Sequence, residues 1–107
     1  MRDYSNIPTL NWTENDAARK AQAQIMRQEP VILQMPQSFR TDIDGSYFHC
    51  ELDEQSGVLY GCDGGKLIRE LAARNRIPEL DRVAVACSRS SSLVDLDSSH
   101  KRLIVHD

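Results

Sequence analysis

Ser46-Tyr47-Phe48-His49-Cys50-Glu51-Leu52, followed by Val58-Leu59-Tyr60-Gly61-Cys62 and then Asp63-Gly64-Gly65-Lys66, is the stretch on which the reading of the fold turns. Its first run alternates. Phe48, Cys50 and Leu52 share one side while Tyr47, His49 and Glu51 share the other, the period of a half-buried strand. The second run reads as the return strand. A three-residue loop, Gln55-Ser56-Gly57, with Gly57 in the left-handed conformation, sets Glu54 opposite Val58, Leu52 opposite Tyr60 and Cys50 opposite Cys62. A two-residue loop would instead oppose residues of different faces.

Directly after this hairpin the pattern changes period. Asp63 is placed to cap a helix, and Gly64 and Gly65 permit a sharp entry that leaves backbone donors open. Leu67, Ile68, Leu71 and Ala72 make the buried stripe of that helix, with Lys66, Arg69 and Arg76 towards its exposed side. Asn75 and Pro78 favour its end. Upstream, Ala17, Ala18, Ala21, Ile25 and Met26 recur at helical spacing, with Thr13 as the expected cap and Trp12 as a staple. Pro30 closes that helix, and Val31 to Met35 reads as a short buried strand. Residues 1–12 read as an irregular lead containing Pro8.

Downstream, the alternation of Val83, Val85 and Cys87 predicts a strand over residues 82–88, followed by a polar connector of serines. Leu93 to Asp97 and Arg102 to His106 then predict a terminal antiparallel hairpin across Ser98-Ser99-His100-Lys101. The order is α-β-β-β-α-β-β-β. This is an α+β pattern, one compact domain over residues 1–107 with two helices covering an antiparallel or mixed sheet.

With 107 residues, 40% of them hydrophobic and 27% charged, the chain has material for a modest core and supports a soluble protein. No apolar run approaches the roughly 20 residues that span a membrane. The start lacks the basic and apolar segments of a signal peptide, which points to the cytoplasm. Three cysteines are too few for a disulfide-rich scaffold. Cys50 and Cys62 face each other as compact apolar side chains or as a disulfide, and they lack the Cys-x-x-Cys spacing of a metal or redox site. Asp42 and Asp44 supply only a fragment of a calcium loop, and Asp63-Gly64-Gly65-Lys66 is not a complete phosphate loop. No cofactor or metal is therefore expected.

Three functional classes follow from these residues. The first is a non-enzymatic protein-interaction or regulatory module that masks or recruits a larger partner, of which an acidic protein is one candidate, through the exposed side of the helix carrying Lys66, Arg69, Arg74 and Arg76. The second uses the same cations on nucleic acid or phosphate, against a net charge of −3 that weakens it. The third is a compact thiol enzyme with Cys87 as nucleophile and Arg89 holding an anion beside it. The absence of a complete catalytic motif favours the first. His49, His100 and His106 read as solvated or locally hydrogen-bonded, with Glu51 and Asp53 on the side of His49 as the acid-base alternative.

Overall fold

The terminal hairpin is the middle of the sheet. In the computed structural model, which describes residues 3–107, Leu93 to Asp97 pair in antiparallel register with Arg102 to His106, from Leu93 opposite His106 to Asp97 opposite Arg102. Numbering strands in chain order, these are β5 and β6, preceded by β1 (Thr9–Asn11), β2 (Val31–Gln34), β3 (Glu51–Leu52) and β4 (Leu59–Asp63). The six run in the order β1-β2-β6-β5-β4-β3. Only β1 and β2 pair in parallel, so the sheet is mixed.

Alternation assigns the two faces. Val31 and Leu33, Val94 and Leu96, and Leu103 and Val105 point into one apolar core. Ile32, Asp95, Asp97 and Ile104 occupy the intervening positions and are also buried. The core face is covered by α1 (Ala17–Met26), α2 (Gly64–Asn75) and α3 (Leu80–Ser90). The α+β class is as the sequence predicts, with a third helix in the covering layer.

That third helix replaces the strand expected over residues 82–88. Leu80, Val83, Ala84 and Cys87 are spaced i, i+3, i+4 and i+7, and all four are buried. Val85, which a strand would have placed beside Val83 and Cys87, is 40% exposed. Alanine at 84 and 86 favours helix, and α3 packs against both α1 and α2. Ser91 closes it in the left-handed conformation, with the Ser92 amide donating to the Cys87 carbonyl at 2.9 Å. The serines end a helix where the sequence suggested a free connector.

The N-terminal lead also contains structure. Thr9 to Asn11 add a parallel edge to β2, and with α1 as crossover they form a β-α-β unit. Three residues after a proline carry too little alternation to be read alone; the edge of β2 orders them. Thr13 does not cap α1. Its hydroxyl donates to Asn11 Oδ1, and left-handed Asp16 occupies the cap position without a side-chain bond.

The central hairpin departs most from expectation. Gly45–Phe48 form a 3-10 turn closed by left-handed His49, and only Glu51 and Leu52 pair with β4. Asp53 begins the loop: its carboxylate accepts from the Gln55 amide and the Ser56 hydroxyl, and its amide donates to the Val58 carbonyl. The loop therefore takes in Glu54 as well as Gln55 to Gly57. Pairing shifts by one, to Glu51 opposite Tyr60 and Leu52 opposite Leu59. Gly57 is left-handed as expected, at φ 76°. Gly61 is left-handed too, at φ 68°, where the β4–β5 register slips between Leu59 and Cys62. That extra residue brings Cys62 back to Cys50, and the two form a disulfide.

Candidate functional site

Asp63 caps α2 as its sequence predicts, its carboxylate accepting from the Lys66 amide at 3.2 Å. The glycines behind it serve a different purpose from opening backbone donors. A Cβ on Gly64 would lie 2.6 Å from the Ser92 carbonyl oxygen, and one on Gly65 would lie 2.0 Å from Ser88 Oγ. They let the start of α2 rest against the end of α3. The Gly64 amide donates to the Ser92 carbonyl, so the positive end of one helix meets the negative end of the other. Two amides of this helix start, those of Gly64 and Lys66, are thus engaged within the protein.

The cations outside this junction divide into two groups. Lys66 and Arg69, one turn apart and exposed, border an open cleft of about 540 Å³ whose walls include His49, Asp63, Ser88 and Leu93. Arg69 also borders a second cleft of about 600 Å³, shared with Arg76, Ala73, Ile77 and half-exposed Val85. Among the described residues none of Lys66, Arg69 and Arg76 makes an ion pair. Arg74 is held apart, with Nε 3.0 Å from Glu70 and a terminal nitrogen 3.5 Å from Asp42. Three of the four basic residues singled out from the sequence thus share one surface, and the fourth belongs to a salt-bridge network.

Cys87 forms part of the wall of the first cleft but is only 1% exposed. Burial, reinforced by the charge of Asp63, pushes its thiol pKa up to about 12. It is a protonated core side chain at neutral pH, the reverse of what a thiolate nucleophile needs. Arg89 is two positions further along the same helix, which turns it away from Cys87. His49 ends the 3-10 turn in the left-handed conformation and borders the basic cleft, and Asp53 is committed to its own loop, so the common strand face expected for His49, Glu51 and Asp53 does not form.

A second polar site lies on the sheet face away from the helices, built on Asp95 and Asp97, which the sequence did not single out, with His100 and His106 in the locally hydrogen-bonded role expected of them. Asp95 is fully buried and accepts from Tyr4 Oη at 2.7 Å and the Gly61 amide at 2.9 Å, with His106 Nε2 at 2.9 Å. Asp97, 3% exposed, contacts Arg102 Nε and His100 Nδ1 at 2.9 Å through Oδ2. Its Oδ1 accepts from the Ser99 hydroxyl and the His100 amide. Burial raises both carboxyl pKa values, but the hydrogen bonds outweigh it and hold both groups below their ordinary value. The signal was in the hairpin register, which sets Asp97 directly opposite Arg102 and Asp95 diagonal to His106.

Ser99, His100 and Asp97 resemble a nucleophile relay only in composition. Ser99 and Asp97 both contact Nδ1 of His100, so the imidazole does not lie between them as a proton carrier. Among the described residues no group of three or more His, Cys, Asp or Glu side chains is arranged to hold a metal ion. Asp44 instead caps the 3-10 turn through Ser46, and Asp42 pairs with Arg74. Among the same residues no helix is long and apolar enough to cross a membrane. Compared with protein-family models, curated proteins and solved structures, the chain finds no match.

Proposed function

We propose that this protein is a small interaction module that masks or recruits a larger protein by docking an acidic segment of it across the outer faces of α2 and α3. The observation that carries this reading is the position of Arg69, which borders two adjacent open clefts flanked by Lys66 and Arg76. Val85 adds exposed apolar surface to the second cleft. On a chain of net charge −3, this is a local positive surface, suited to steering an acidic partner before apolar contact forms. The reading requires binding without turnover.

The Cys50–Cys62 bridge favours an oxidising setting for the module over the cytoplasmic one expected from its N-terminal sequence, because structural disulfides persist outside reducing compartments. A thiol count on protein isolated from its native cells checks this. Three free thiols would return the module to a reducing compartment.

Docking is tested by affinity capture from native extract, followed by titration of the purified captured protein. Lys66→Glu with Arg69→Glu is expected to weaken its binding about tenfold or more, the scale of 1.4 kcal/mol of lost charge complementarity, with the fold intact. Lys20→Glu on α1 is the control and is expected to bind as wild type. Equal affinity of the double variant removes this interface. Capture that disappears on nuclease treatment, with binding that falls steeply with salt, replaces the protein partner by a nucleic acid.

A further inference from the structure

The end of the sheet where the two hairpin loops approach each other contains a cavity of about 140 Å³ on the face opposite α2 and α3. Tyr4 and Tyr60 form aromatic walls, and Asp97, Ser99, His100 and Arg102 provide the polar lining. At about 30 Å³ per water, this volume corresponds to roughly four or five water molecules, too small for a nucleotide but adequate for a compact ion.

The hydrogen bonding defines what the cavity offers. Both oxygens of Asp97 are occupied by Arg102, His100 and Ser99. Arg102 spends Nε on this carboxylate, and its guanidinium lies 5.5 Å from the centre of the Tyr4 ring. The two terminal nitrogens of Arg102 and Nε2 of His100 have no partner among the described residues. The carboxylate and the ring thus orient a planar fork of donors and leave it unspent. Ser99 donates to Asp97 and lies 3.2 Å from His100 Nδ1, so its hydroxyl is engaged within the same network.

We infer that this cavity binds a compact oxyanion of the carboxylate or phosphate class, gripped by the terminal N–H groups of Arg102 with the His100 ring beside them. Asp97 acts as a positioning residue that fixes the Arg102 fork and the His100 ring. The site is separate from the α2–α3 surface, so neither assignment depends on the other.

Titration with inorganic phosphate and with acetate, followed by NMR of the Arg102 Nε–H and the His100 ring, tests the site, with chloride at matched ionic strength as control. Single-site saturation by phosphate or acetate is expected, with the tighter ion identifying the class of ligand. His100→Gln is expected to weaken binding about tenfold, the scale of one charge-assisted hydrogen bond. Arg102→Lys preserves the charge opposite Asp97 and hence the fold, yet removes the fork, and the same loss or more is expected. Lys66→Glu leaves the titration unchanged. Failure to saturate, an equal response to chloride, or wild-type affinity in both His100→Gln and Arg102→Lys overturns the assignment.

Discussion

The β5–β6 hairpin pairs five residues with five in an unbroken register, whereas β3–β4 pairs two with two, admits a left-handed glycine and is tied by a disulfide. Position in the sheet accounts for the contrast. β5 and β6 each have a second neighbour, β4 and β2, so their backbone groups and both of their faces are held from two sides. β3 is the edge, with Glu51 and Leu52 both exposed, and nothing beyond it enforces a longer ladder. The bridge supplies at the edge the constraint that neighbouring strands supply at the centre. The β5–β6 hairpin also holds its stability differently: its strands carry the buried carboxylates Asp95 and Asp97 with their partners, while the edge relies on a covalent link and on Phe48.

Removing Asp97 should break the contrast most strongly. Asp97→Ala leaves Arg102, His100 and the turn amide without their acceptor, and a loss of about 3 to 4 kcal/mol in denaturant-monitored stability is expected. The same carboxylates set an acid limit. Asp95 and Asp97 have folded-state pKa values below the ordinary 3.8, so their contribution is complete above that value and is lost as pH falls through the lowered ones. A stability profile against pH should fall in this acid range, and Asp97→Asn should flatten part of the slope.

Reduction of Cys50–Cys62 should act next, and at the edge alone. Opening a loop with sequence separation 12 is expected to cost about 2 to 3 kcal/mol in chain-entropy terms. Hydrogen exchange should then accelerate over residues 45–52 while β5 and β6 stay protected. Equal acceleration in both hairpins would show that the edge and the centre unfold as one unit. The smallest effect is expected at Gly61. A Cβ there meets nothing within 4 Å, so Gly61→Ala is opposed only by φ 68° and should destabilise by about 1 kcal/mol. Gly61→Asn, better suited to the left-handed region, should lose less.

Local chemistry made some of this molecule legible. The Asp63 cap, the buried stripe Leu67, Ile68, Leu71 and Ala72, the break at Pro30 and the left-handed Gly57 each follow from one residue's own geometry or from a clear period. Residues 80–90 were ambiguous because alternation at Val83, Val85 and Cys87 and helical spacing at Leu80, Val83, Ala84 and Cys87 coexist in the same residues. The exposed basic side of α2 was visible in the order of residues, but its division between two clefts and the diversion of Arg74 to Asp42 depend on segments distant in the chain.

By itself the sequence determined the α+β class, the terminal hairpin and the capped basic helix, because caps, turns and apolar periods act over a few neighbouring residues. Tertiary structure alone decided three matters: that α3 is a helix, that β1 exists, and that Asp95 and Asp97 are buried. A strand edge must be present before Thr9 to Asn11 can pair with it. Two helices must offer their sides before α3 gains by packing between them. A carboxylate can leave water only where other groups replace its solvent hydrogen bonds, as Tyr4 and His106 do at Asp95 and Arg102 does at Asp97.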